Sequence, residues 1–197
     1  SFSILNDLKQ VCNFHSTTGE SIKLDVLKTI YENVKSEGSQ NKIIVFSQFV
    51  KSLERIEKTL NDPQSIALYH GGMESVKRDA VLDRFRTDTN CNMLLISLKA
   101  GGVGLNLQEA THVVIFDRWW NPQLELQAIN RAHRFGRELP LLVYRFKIED
   151  SVEQRIVDLL HLKIGMNFGM MIYIYHGMLY MIIKKQVWLK KKNYKDS

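Results

Sequence analysis

The sequence predicts an α/β fold: a mainly parallel sheet with helices on both faces. From about Ser21 onward, strand signals and helix signals alternate along the chain, as they do when helical crossovers join parallel strands. The first strand signal, Lys42-Ile-Ile-Val-Phe-Ser47, is a short β-branched run that reads as a buried strand. No internal repeat interrupts the alternation, and 197 residues suit one domain with an appendage.

Residues 1–20 read as a lead-in and residues 21–163 as the folded domain. Ile22, Val26, Ile30 and Val34 recur at helical spacing, and Gly38 ends that helix. After the first strand, Val50, Leu53, Ile56 and Leu60 mark a second helix, closed by Asp62-Pro63. A strand near Ile66 to Tyr69, a helix near Glu74 to Phe85 and strands at Asn92 to Leu98 and Val113 to Phe116 follow. A helix over Gln123 to Phe135 and a strand over Leu141 to Phe146 complete the alternation. The last helix starts at Ser151, which with Gln154 has capping-box spacing, and its apolar stripe is Val152, Ile156, Leu159 and Leu160.

Composition changes abruptly after Lys163. Residues 164–183 hold no Asp, Glu, Lys or Arg, and the remainder is lysine-rich. The apolar stretch approaches the roughly 20 residues a bilayer span needs, but Asn167, His176 and three glycines oppose insertion. Residues 164–197 therefore read as an atypical tail foreign to the fold, of the kind that AT-rich noncoding DNA would encode, and a membrane partner is not expected.

A hydrophobic share of 45% and a charged share of 24% exclude disordered and collagen-like classes. Cys12 and Cys91 stand far apart without CxxC spacing, which argues against a disulfide framework, against a zinc site and for a reducing compartment. Asp7 and Lys9 interrupt the first apolar residues, so secretion is not expected. The net charge of +6 suggests nucleic acid, but residues 1–162 hold 20 Lys+Arg and 20 Asp+Glu, and the excess lies in the tail. Function must therefore be argued from motifs.

The strongest motif is Gln127-Ala-Ile-Asn-Arg131-Ala-His-Arg134-Phe-Gly136 on a predicted helix. Gln127, Arg131 and Arg134 are spaced by four and three, so their side chains share a face while Ala128, Ile129 and Ala132 turn to the sheet. Paired guanidiniums suit the charge on a transferring phosphoryl group, where one arginine can contribute about 10³ to 10⁵ in rate. An isolated RxxR would ordinarily be a solvated basic face. Upstream, Ser97-Leu-Lys-Ala-Gly101-Gly102-Val-Gly104-Leu-Asn106 follows a strand, and its glycines let backbone N–H groups approach a phosphate. It is not a P-loop, for no GxxxxGK[ST] occurs in the sequence. Between these two, Asp117-Arg-Trp119-Trp120-Asn121-Pro122 follows another strand, where open α/β sheets bind ligands. Core packing is the alternative for the indoles.

Val45-Phe-Ser-Gln-Phe49, Tyr69-His-Gly-Gly72, the Ser97 to Leu107 loop, the Trp119 to Pro122 box and the Gln127 to Gly136 helix resemble motifs IV to VI of Swi/Snf-type superfamily-two helicases. The resemblance spans about Ser21 to Lys163, in order and in spacing, and Asn121-Pro-Gln-Leu-Glu125 and Asp150-Ser-Val-Glu-Gln-Arg155 are similar to the lodestar and transcription-termination or repair-type branch. It implies a RecA-like three-layer α/β/α domain, the C-terminal lobe of an ATP-dependent double-stranded-DNA translocase. It implies that Arg131 and Arg134, ordered by Gln127, reach ATP with Mg²⁺ held mainly by an absent first RecA-like lobe. Gly102, Gly104 and Asn106 would line the nucleotide side. Ser47, Gln48, His70, Gly71, Ser97, Lys99 and Asn121 would line the DNA-phosphate track, and Trp119 and Trp120 would couple cleft closure to DNA grip. The implied partners are the first lobe, duplex DNA and a nucleosome or transcription complex, in the nucleus.

Two positions depart from the family pattern: Arg118 stands where proline is usual, and Arg137 where glutamine is usual. Either could add a phosphate contact. Two rivals follow from the same residues, a non-catalytic DNA- or partner-binding lobe and an RNA-helicase lobe, though the latter lacks the tryptophan box.

Overall fold

The structure, a computed structural model, describes residues 2–97, 99, 105–133, 141–164, 172–175, 178–181 and 184–189. The elements are α1 (Phe2–Asn13), α2 (Ile22–Ser36), β1 (Ile43–Ser47), α3 (Val50–Leu60), β2 (Ile66–Tyr69), α4 (Ser75–Thr87) and β3 (Met93–Ser97). They continue with β4 (His112–Ile115), α5 (Pro122–Ala132), β5 (Leu142–Ile148) and α6 (Val152–Ile164). Five parallel strands run in the order β2-β3-β1-β4-β5. In the tail, β6 (Ile172–Tyr175) and β7 (Met178–Met181) pair antiparallel, and β8 (Lys184–Leu189) adds parallel to β5. Among the described residues no helix is long and apolar enough to cross a membrane.

Alternation along β1 explains the layers. Ile43 and Val45 join α2 and α3 through Leu27, Val34, Leu53 and Ile56, while Ile44 and Phe46 join α4 and α5 through Phe85 and Ile129. All five β1 residues are fully buried, as a central parallel strand requires. This is the expected three-layer α/β/α domain.

Local chemistry sets the helix ends. Ser21 Oγ accepts from Leu24 N at 3.0 Å and starts α2. Asn61 ends α3 in the left-handed region, at φ 48° and ψ 45°, a conformation asparagine tolerates better than branched residues. Asp62 then gathers Tyr31 and Lys35: its Oδ2 accepts from the Lys35 ammonium at 2.8 Å and from the Tyr31 hydroxyl at 3.1 Å. At α6, Ser151 Oγ accepts from Glu153 N at 3.1 Å. Gln154 instead donates to Asp158 at 2.7 Å, so the expected reciprocal box with Gln154 does not form.

Two further differences matter. The first twenty residues include α1, which packs against α2 and α6. And α5 stops at Ala132, with His133 extended at φ −81° and ψ 126°, so helical register joins Gln127 to Arg131, while Arg134 lies outside the described residues.

The Lys23–Glu153 ion pair, 2.6 Å long with both side chains fully buried, ties α2 to α6. Replacing Glu153 with Gln should cost about 3–5 kcal/mol in urea unfolding, because a buried ammonium loses its counter-charge. The double change Lys23→Met with Glu153→Leu should cost clearly less. Equal costs would contradict the pairing.

The Asp62 carboxyl is held below its ordinary value, first by the Lys35 hydrogen bond, and that bond likewise raises the lysine. The carboxylate's contribution is therefore present above its unfolded pKa and lost as pH falls through the lower folded one; the lysine's is lost only as pH rises through its raised value. Since the pair is partly exposed, Asp62→Asn should cost only about 0.5 kcal/mol at neutral pH. The difference in urea midpoint should vanish in acid.

Candidate functional site

Parallel strands end together at one edge, and here that edge contains a topological switch. Neighbours β1 and β4 send their following connections in opposite directions, to β2 and to β5. Such a divergence opens a crevice at the strands' carboxyl ends. Asp117 sits there, two residues past β4 and fully buried.

Its carboxylate is saturated with donors. Oδ2 accepts from the Ser47 hydroxyl and from Asn13 Nδ2, the latter at 3.1 Å. Oδ1 accepts from Gln48 N at 3.1 Å, and Gln48 Nε2 donates to the Arg118 carbonyl at 3.3 Å. The ends of β1 and β4 are thereby fixed to each other.

A second buried carboxylate, Glu125 on α5, holds the following turn. It accepts from Trp119 N at 3.0 Å and from Arg145 Nε at 3.2 Å, and Arg118 Nε lies 3.2 Å from it as an ion pair. Glu153 is the third: it accepts from Lys23 at 2.6 Å, Ile148 N at 3.0 Å and Arg118 N at 3.4 Å. Glu125 from α5 and Glu153 from α6 thus hold residues 118 and 119, while Asp117 itself ties the turn back to β1 and α1. None was nominated from sequence, where a single acidic residue carries no sign of burial; Asp117 alone was hinted at, directly after an apolar strand.

Held this way, Trp119 and Trp120 are half-buried, and each indole N–H is buried without an acceptor among the described residues. Trp120 borders a groove of about 720 Å³ between α1 and α6, lined also by Leu5, Leu8, Val152 and Leu159. Neither indole is an ordinary core residue.

Arg131 lies on the flank of α5, only partly exposed, beside the sheet-facing Ala128, Ile129 and Ala132, which are buried as expected. Its Nη1 is buried with no hydrogen-bond partner among the described residues. Burial pulls the guanidinium below its ordinary value, opposed by nearby Tyr69. Arginine stays charged at neutral pH regardless. Gln127, one turn earlier, is exposed.

After β2, His70 begins a tight turn in which Met73 N donates to His70 O at 3.2 Å. Gly72 N donates to His70 Nδ1 at 3.2 Å, so the neutral ring carries its proton on Nε2, a donor suited to phosphate. A Cβ at position 72 would stand 3.2 Å from that ring, so a larger residue there would push the ring aside by a few tenths of an ångström. Gly71 and Lys99 are exposed.

Several expected contacts need correction. Ser47 is fully buried, its hydroxyl committed to Asp117 and accepting from Phe49 N at 3.1 Å, so it cannot also grip a phosphate. Ser97 is likewise buried, at 2% exposure. Asn121 is exposed, but its Oδ1 caps α5 by accepting from Gln123 N at 3.0 Å, leaving only its amide nitrogen for a ligand. Arg118 is not a phosphate contact: its head is buried beside Glu125. Asn106 is exposed, with its carbonyl taken by Arg86 at 2.8 Å. Gly102, Gly104, Arg134 and Arg137 lie outside the described residues.

A parallel α/β/α lobe of this topology is of the RecA-like class. The chain belongs to the helicase conserved C-terminal domain family, matched over residues 22–136. It is 40% identical over 141 residues to the DNA repair protein rad8 of Schizosaccharomyces pombe, covering 71% of this chain and 12% of that one. It is 43% identical to the DNA repair protein RAD5 of Cryptococcus neoformans, covering 71% of this chain and again 12% of the relative. The Swi/Snf resemblance holds in three dimensions too. The C-terminal domain of a Sulfolobus solfataricus SWI2/SNF2 ATPase aligns with a TM-score of 0.64 at 29% identity, over 84% of this chain and 69% of that one. The same organism's SWI2/SNF2 ATPase core in complex with double-stranded DNA aligns at 0.67 and 29%, over 83% of this chain and 36% of that one. The chain thus spans about one eighth of these two repair relatives.

Replacing Glu125 with Gln keeps its shape but leaves Arg118 and Arg145 without their counter-charge. Urea unfolding of this chain should lose about 3 kcal/mol or more, whereas Gln123→Ala on the exposed face of the same helix should change stability by no more than about 0.5 kcal/mol.

Proposed function

We propose that this chain is the C-terminal motor lobe of an ATP-driven translocase of double-stranded DNA, serving repair or the remodelling of chromatin or transcription complexes. Arg131 carries the reading: it is only partly exposed, yet keeps a desolvated guanidinium nitrogen with no partner among the described residues. A native site retains an unsatisfied buried donor at a cost of about 1–3 kcal/mol, and a ligand that supplies the acceptor explains it. A guanidinium there fits the charge spread over a γ-phosphoryl group.

ATP with Mg²⁺, held mainly by a first RecA-like lobe, would supply the bond whose cleavage drives the cycle. This chain's part is to orient and to grip. Arg131 and Arg134 stabilise charge on the phosphates, Gln127 orders that contact, and Gly102, Gly104 and Asn106 line the nucleotide side. Gln48, His70, Gly71, Lys99 and Asn121 take DNA phosphates, with Ser47 and Ser97 supporting them from beneath. Trp119 and Trp120 couple cleft closure to that grip. Because phosphate contacts dominate, tracking is sequence-tolerant and salt-sensitive.

The relatives' descriptions as DNA repair proteins, and the duplex in one structural neighbour, support DNA as the track and the nucleus as the location. The sequence has neither a GK[ST] loop nor a DExH box, which favours a second statement: these 197 residues alone bind but do not hydrolyse.

In the complete protein, Arg131→Ala and Arg134→Ala should each lower duplex-stimulated ATPase by about 10³-fold or more while nucleotide binding persists. Unchanged turnover refutes the assignment. The isolated chain should show no ATPase activity; robust turnover would reveal a catalytic site of its own. RNA stimulating the complete protein as well as duplex DNA does would favour the RNA-helicase reading instead.

A further inference from the structure

Helix α1 is inverted. Its apolar Ile4, Leu8 and Val11 are 58%, 48% and 49% exposed, whereas Lys9 and Asn13 are buried at 0% and 1%. A helix that merely covers a core does the reverse, since burying an amide or an ammonium costs free energy unless partners compensate. Asn13 has three partners. Its Nδ2 donates to Asp117 Oδ2 at 3.1 Å and to Ser52 Oγ at 3.2 Å, and its Oδ1 accepts from Lys23 Nζ at 2.8 Å.

Lys9 Nζ has no hydrogen-bond partner among the described residues and stands 6.0 Å from the centre of the Phe49 ring. Burial depresses its pKa, and Asp117 is the foremost carboxylate opposing that. Asn13 thus bonds the Asp117 carboxylate directly, and Lys9 packs over Phe49, whose backbone N–H donates to the Ser47 hydroxyl that also bonds Asp117. Helix α1 lies outside the residues 22–136 that match the family.

We propose that Lys9 and Asn13 are positioning residues that act through Asp117 to set the turn of residues 117–121, so that the seating of α1 tunes the lobe's grip on duplex DNA. This rests on the function proposed above. Asp117 receives donors from the end of β1, through Ser47 and the following Gln48, and from α1, through Asn13. The β1 donors hold the carboxylate to the sheet, and the α1 donor fixes its rotation. Gln48 then donates to the Arg118 carbonyl, passing that orientation to the chain just before the tryptophans.

The test uses the complete protein, with Asn13→Leu and separately Lys9→Met. An unpaired buried lysine with only a structural role can be exchanged for methionine at little cost to stability. Both variants should keep their DNA-free ATPase rate. The duplex concentration for half-maximal stimulation should rise about tenfold or more, the scale of losing a supporting partner behind a binding group. Hydrogen exchange should quicken in residues 116–120 while β1 and β3 keep wild-type protection. Wild-type half-saturation in both folded variants overturns the proposal, and so does an equal loss of protection across β1 and β3, which would make α1 a structural cover. If duplex DNA fails to stimulate the wild-type protein, the translocase reading falls, and the exchange pattern still decides by itself whether α1 positions the turn.

Discussion

The carboxyl-end edge of this lobe's sheet depends on a buried carboxylate, Asp117, placed where two neighbouring parallel strands diverge. A charge with no exposure is tolerated only if its donors are complete, and here a serine hydroxyl, a backbone N–H and a side-chain amide complete them. These donors come from β1 and α1, and the acceptor from the end of β4, so three segments far apart in sequence are fixed at one point. The polar interior thereby gives the edge a defined geometry that apolar packing alone would leave adaptable.

Glu125 and Glu153 extend the same device. The buried cations Lys23, Arg118 and Arg145 form ion pairs with Glu153 and Glu125, whereas Lys9 Nζ has neither a hydrogen bond nor an ion pair among the described residues. Glu125 belongs to the helix that carries Gln127 and Arg131, while its carboxylate holds the backbone of Trp119. The proposed nucleotide side and DNA side are thus joined by a single side chain.

The sheet was legible because period and position are local: β1 to β5 fall within two residues of their sequence-based positions, since each is a short apolar run between turn formers. The end of α5 was not, because His133 turns extended although nothing in Arg131-Ala-His-Arg134 signals a stop. Helix α1 escaped notice for the reverse reason: its apolar residues face out, so it lacks the stripe that marks a helix on a core. Burial divides the motif residues into two groups. Ser47 and Ser97 lie at strand ends inside the sheet, His70 and Lys99 beyond it, and no sequence spacing separates the two cases. Arg118 resembles a surface cation until Glu125, seven positions on, is placed beneath it.

The most direct test measures duplex-DNA affinity of the complete protein with and without a non-hydrolysable ATP analogue, in the wild type and in Glu125→Gln. The ratio of the two affinities is the coupling between sites. If Glu125 joins them, the wild type should show a ratio well removed from one, and the variant should bind each ligand but bring the ratio close to one. An unchanged ratio in a folded variant would mean that the link runs elsewhere and that the buried carboxylates only stabilise the fold.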